Sequence, residues 1–163
     1  MADELTTEQI RELRKSYEAL ADAERDSLKR CPTAQAIMAD RTFWKLAAAT
    51  SDDVRLRLAH LVACFPAAPQ LAEPAGFKPG LFIREALYPG QSPQTPEEAL
   101  KYKHLTQARD VDELVPRIRK LLAEVKKPVD WGVLGRDLFF WSDKIKKAWD
   151  RDFFAPPAPP PAT

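Results

Sequence analysis

The sequence predicts an all-α protein: two small helical bundles packed together, followed by a disordered, proline-rich C-terminal tail. Three observations lead there. Apolar residues recur every three or four positions through most of the chain, cap-and-return pairs stand where those runs begin, and no stretch alternates as a strand would. With 163 residues, 45% hydrophobic and 30% charged, a chain of this size buries roughly 70% of its unfolded surface and needs no disulfide or metal staple.

Thr6 and Gln9 form a capping-box pair, and Ile10, Leu13, Tyr17 and Leu20 follow at helical spacing. A second short helix ends over Ser27 to Arg30, because Pro32 disfavours helical geometry in Cys31. Phe43, Trp44 and Leu46 cluster on another short helix. Ser51, Asp52 and Asp53 then supply a cap and negative charge for a helix that places Val54, Leu58, Leu61, Val62 and Phe65 on one face. From Pro66 to Gly80 four prolines and two glycines break regular structure. A short apolar segment, Leu81 to Leu87, follows and closes at Pro89-Gly90.

Thr95, Pro96, Glu97 and Glu98 combine a cap, a preset backbone angle and a return partner, which predicts a helix from Pro96 to about Gln107. Asp110 and Glu113 open the next, with Leu114, Ile118, Leu121, Leu122 and Val125 on one face, Pro116 near its first turn and Pro128 as its stop. Trp131, Leu134, Leu138, Trp141, Ile145 and Trp149 give the strongest periodicity, as one long helix or two joined near Ser142. Ala155 to Thr163 holds five prolines in nine residues and reads as an extended, disordered end. The expected division is 1–65 as an N-terminal bundle, 66–95 as a connecting region with a short helix, 96–154 as a C-terminal bundle and 155–163 as tail.

The chain is poor in catalytic chemistry. Cys31 and Cys64 form no close-spaced pair, His60 falls in an apolar helical run, and His104 sits among lysines. Gly76 and Gly80 lack the lysine of a phosphate loop, and Gly132 and Gly135 mark close helix packing instead. Asp130 reads as a cap and Asp137 as a surface ion pair with Arg136 or a neighbour, so no metal and no cofactor are expected. The longest apolar run, Leu56 to Ala68, is interrupted by Arg57, His60 and Pro66 and falls short of the about 20 residues of a membrane span. Asp3 and Glu4 stand where a signal peptide carries positive charge. The expectation is a cytoplasmic protein, not an enzyme, with no membrane and no small-molecule substrate.

What remains is cationic. The net charge is only +1, but residues 1–26 hold eight acidic side chains against four basic ones, which leaves 21 basic against 16 acidic in the remainder. Eight of the positive charges fall between Lys101 and Lys127, where Arg117 and Lys120 share a helix face. Lys144, Lys146 and Lys147 form a second cluster and Lys29-Arg30 a third. Phosphate-backbone binding is the function these clusters predict, and a helical protein–protein adaptor without nucleic-acid contact is the alternative.

The order of features resembles the small subunit of the type I-E CRISPR complex Cascade, the CasB family. The matching segments are Leu28-Lys29-Arg30, Thr42-Phe43-Trp44-Lys45-Leu46, Val62-Ala63-Cys64-Phe65, Phe82-Ile83-Arg84-Glu85-Ala86-Leu87, Arg117-Ile118-Arg119-Lys120-Leu121-Leu122, and Val129-Asp130-Trp131 followed by Leu134, Leu138 and Trp141. The acidic first helix and the tail fall outside it. The resemblance implies a non-catalytic antiviral subunit that binds DNA backbone and stabilises the R-loop. Its implied partners are the backbone and large subunits, the guide RNA, the target and displaced DNA strands, and a second copy of itself. The family's basic positions map onto Lys29, Arg30, Arg84, Arg119, Lys120, Lys144 and Lys146, with Lys101 and Arg109 beside them. Trp131, Leu134, Leu138 and Trp141 carry over as structural core.

Overall fold

In the computed structural model the described residues are 6–31, 33–47, 52–67 and 76–156, with side chains from residue 54 onward in the third segment. Among them the chain is helical with no strand. The helices are α1 (Thr7–Glu18), α2 (Asp22–Lys29), α3 (Ala34–Met38), α4 (Arg41–Leu46), α5 (Asp52–Cys64), α6 (Pro79–Leu87), α7 (Leu100–Thr106), α8 (Val111–Val125), α9 (Trp131–Phe139) and α10 (Asp143–Phe153). The expected cap at Ser51 and most of the tail lie outside the described residues.

Local chemistry starts most of these helices. Thr6 and Gln9 close both hydrogen bonds of the capping box on α1. The Asp110 carboxylate accepts from the Glu113 amide to open α8, and the Ser142 hydroxyl accepts from the Ile145 amide to open α10. The tryptophan-rich periodicity therefore resolves into two helices, α9 and α10, with the break at Ser142. Lys126 ends α8 in the left-handed region, φ 56°, two residues before Pro128.

Three elements differ from expectation. The helix expected from Pro96 begins instead as a 3-10 turn, Pro96–Ala99, and becomes α-helical only at Leu100. The Lys101 amide donates to the Tyr88 hydroxyl at 3.0 Å, so a tertiary acceptor replaces the carbonyl that a continuous helix would use. The stripe expected on α5 extends right round its second half, because α2, α3, α8 and α9 all pack on this helix and every residue from Leu58 to Cys64 is buried. Asp137 makes no surface ion pair. Its carboxylate, half-buried, accepts from the Trp149 indole at 2.7 Å and so joins α9 to α10, while burial holds its carboxyl above the usual range.

Packing crosses the expected sequence boundary. α9 lies against α1 and α5 and α8 lies against α5, whereas α6 packs on α10 and touches α7. Glycines make the closest approaches. A Cβ on Gly135 would stand 2.7 Å from the Ile10 side chain, one on Gly132 would meet Thr7 and Arg11, and one on Gly80 would stand 2.2 Å from the Trp149 carbonyl oxygen. Trp131, Leu134 and Leu138 are buried as expected, but Trp141 is only half-buried, edge-on to Trp149 in the link between α9 and α10.

The Gly80 contact is with backbone, which cannot rotate away. Gly80→Val is therefore expected to cost on the order of 1–3 kcal/mol by forcing α6 off α10. Urea unfolding checks it, and an unchanged midpoint would mean the two helices are not in this contact.

Candidate nucleic-acid interface

α8 buries Leu114, Ile118, Leu121 and Leu122 against the core, and this leaves its other side to solvent. Arg117 and Lys120 stand there three residues apart. Across from them α7 presents Lys101 and His104, and the side chains enclose a cleft of about 370 Å³ with Leu87, Leu105 and Leu121 also lining it and Glu124 as its one carboxylate. Arg117 donates to the His104 carbonyl at 2.6 Å, tying the last turn of α7 to α8. Lys101 and Lys120 are exposed, so their ammonium groups remain hydrated and available.

The opposite side of α7 forms a smaller notch of about 170 Å³, lined by Lys103 and by Lys146 of α10 together with Tyr102, Asp150 and Phe154. Tyr102 donates to Asp150 at 2.7 Å and stacks on Phe153 with ring centroids 3.8 Å apart. Burial and the adjacent carboxylate push the Tyr102 phenol far above its ordinary range, so it is a neutral donor. α7 thus carries basic side chains into two neighbouring depressions.

Arg119 faces the other way. Its guanidinium donates to the Lys29 and Cys31 carbonyls, each at 3.1 Å, and thereby satisfies orphan acceptors at the end of α2. That contact sets the exposed Lys29 and Arg30 beside α8. Arg84 has a similar role, donating to the Phe153 and Ala155 carbonyls at the end of α10. Arg109 is exposed in the turn before α8, and Lys144 is exposed on the first turn of α10.

The structure therefore brings Lys101 and Lys120 into one cleft and places Lys146 in the notch on the opposite side of α7, whereas Lys29 and Arg30 stand by Arg119 and not in the cleft. Arg84 and Arg119 use their donors inside the protein. Arg117, His104 and Lys103 belong to these depressions although the family positions do not include them. The Arg117–Lys120 spacing was the signal, but the register of α7 against α8 is a tertiary fact.

Groups that could suggest other chemistry have structural places. Among the described residues no three histidine, cysteine or acidic side chains gather as metal ligands, and no helix is long and apolar enough to cross a membrane. Asp130 is the N-cap of α9 and is gripped by Arg11 through two hydrogen bonds, at 3.2 and 2.9 Å. Cys64 is fully buried, which pushes its thiol up to about 12. His60 is 3% exposed; its Nε2 lies 2.8 Å from Asp112 Oδ1 but out of line for a hydrogen bond.

These features define an all-helical protein with a cationic cleft on its surface. The chain belongs to the family of the CRISPR-associated protein Cse2, whose model matches residues 19–154. This bears out the small-subunit resemblance carried by the sequence. The fold is also similar to a chain in the crystal structure of E. coli Cascade bound to a PAM-containing dsDNA target, with a TM-score of 0.68 at 15% identity over 87% of this chain and 91% of that one. No curated protein matches the chain in sequence.

Burial holds the His60 imidazole below its ordinary value of 6.5, against the opposing pull of Asp112 and Asp110. The unfolded chain then binds more protons than the folded one as pH falls below 6.5, so stability is lost on acidification through that window. Urea midpoints at neutral and mildly acidic pH should show this loss, and His60→Gln should reduce it; an equal loss in both proteins would assign the dependence elsewhere.

Proposed function

We propose that this chain is the non-catalytic small subunit of a type I-E Cascade, and that its α7–α8 cleft holds the phosphate backbone of unwound target DNA while the guide RNA pairs. The observation that carries this reading is the convergence of Lys101, Arg117, Lys120 and His104 in one cleft. Family membership supports it, as does the likeness to a chain from a complex whose target is double-stranded DNA.

The physics suits a helper. Exchange of a DNA duplex for an RNA–DNA duplex is nearly balanced in free energy, so a few backbone contacts tip it. Such contacts are independent of sequence and weaken as salt releases counterions. A chain of net charge +1 need not grip DNA alone, because other subunits and the guide RNA complete the assembly. Lys103 and Lys146 add cations in the notch on the opposite side of α7, Lys144 and Arg109 are exposed elsewhere, and Arg84 and Arg119 act by positioning. The protein works in the cytoplasm beside a second copy of itself.

Lys101→Glu with Lys120→Glu, in a reconstituted guide-RNA complex on matched duplex, is expected to shrink the permanganate-reactive open region. It should also lower the salt slope of log affinity by roughly 1 for each phosphate that the two ammonium groups no longer neutralise. If the variant is incorporated and both readouts match the unsubstituted complex, the cleft is a solvated surface and the adaptor reading takes its place.

A further inference from the structure

Among the described residues two large apolar side chains stand in solvent, Leu100 and Trp44. Phe43 is wholly buried, whereas its neighbour Trp44 is 42% exposed on α4 and lines neither depression of α7. Specific contacts hold the indole there. Its N–H donates to the Met38 carbonyl at 3.0 Å, and the Arg55 guanidinium of α5 lies 4.9 Å from the ring centroid. The ring is therefore fixed in orientation and its one polar atom is already satisfied. What it offers to solvent is π-surface.

The setting is cationic. Residues three and four apart share a helix face, so Arg41 stands beside both Trp44 and Lys45 on one turn of α4, and all three are exposed. Arg41 enters no ion pair among the described residues. Lys45 pairs with Glu24 of α2, and Asp40, the N-cap of α4, is engaged by the Ser27 hydroxyl and the Thr42 amide. The centre of a protein–protein interface is apolar and depleted of charge, and no second exposed large apolar side chain accompanies Trp44 on α4. A single ring between cations instead suits single-stranded nucleic acid, whose bases stack on aromatic faces while its phosphates meet the charges.

We propose that Trp44 is a stacking platform for one unpaired nucleobase, with Arg41 and Lys45 on the flanking phosphates. This rests on the reading that the chain holds unwound DNA, and it adds a base contact outside the cleft. The base belongs to the displaced strand, because target-strand bases are paired with guide RNA and stacked within that duplex. Every base has a π-face, so stacking tolerates any sequence and leaves the choice of target to base pairing.

The test is permanganate reactivity in the reconstituted guide-RNA complex, on matched targets that move a single displaced-strand thymine through the open region. Permanganate attacks the face of an unstacked thymine, so a thymine on Trp44 should be protected. Trp44→Leu, which keeps an apolar side chain, should raise reactivity at that position by about fivefold or more, and Trp44→Phe should retain most of the protection. In the unsubstituted complex, 5-iodouracil at the protected position should cross-link to Trp44 on irradiation. The length of the open region reports separately on the cleft: Trp44→Leu should leave it unchanged, whereas Lys101→Glu with Lys120→Glu shortens it. If no thymine depends on residue 44, or the cross-link forms at another residue, the proposal is overturned and the cleft reading stands. Loss of Trp44→Leu from the complex at an unchanged urea midpoint also overturns it, by assigning the ring to a neighbouring protein subunit.

Discussion

Arg14 is 3% exposed, and an arginine side chain does not escape burial by losing its proton. Its charge has to be answered within the protein or the fold around it fails. It donates to the Phe65 carbonyl at 2.7 Å and to Glu18 at 3.2 and 3.0 Å, and it lies 5.2 to 5.7 Å from the ring centroids of Tyr17, Phe65 and Trp131. Three elements meet there: α1, the end of α5 and the start of α9. Desolvation pulls the Arg14 pKa down and Glu18 pulls it back. Removing either the acceptors or the rings would leave an uncompensated buried charge, which is the costly way to break such a cluster.

This constraint explains why α1 is integral even though the family match begins at residue 19. Ile10 is fully buried where Gly135 leaves room for it, and the Arg11–Asp130 fork fastens the helix to the N-cap of α9. With α9 fixed in this way, α5 is enclosed and α8 has a single place to pack. The exposed side of α8 is then determined by its buried one. α7 is tied at its last turn to α8 by Arg117 on the His104 carbonyl and at its start to the end of α6 by the Lys101 amide on the Tyr88 hydroxyl. The cationic cleft thus rests on packed helices, the kind of support that keeps charged side chains in register.

Helix starts were legible where a cap acts over three residues, as at Thr6 and Asp110. α3 was not, since its five residues after Thr33 are too few for a periodic stripe to register. The break at Ala99 depends on the hydroxyl of Tyr88, the residue that follows α6, so the strong local signal at Thr95 to Glu98 could not reveal it. The candidate site was legible in its residue types. Its partners were not, because Arg84 and Arg119 bind carbonyls 69 to 90 residues away in the chain. Backbone acceptors leave no mark in sequence.

That last distinction separates the two kinds of cation in this protein. Arg14, Arg57, Arg84, Arg117 and Arg119 all donate to main-chain carbonyls across element boundaries. The planar guanidinium suits this use, because it offers five donors and is weakly hydrated. Lysine is a strongly hydrated point charge on a flexible stem, and Lys29, Lys101, Lys120 and Lys144 hold theirs in solvent. A count of basic residues therefore overstates the surface that meets a polyanion, since much of the arginine complement stabilises the fold. The remaining field comes from dispersed lysines, with Arg117 at the edge of both roles. Such a field gives contacts that are individually weak, salt-sensitive and indifferent to sequence. Those are the properties that the proposed function asks for, since a strand whose sequence is read by base pairing needs only sequence-independent contacts.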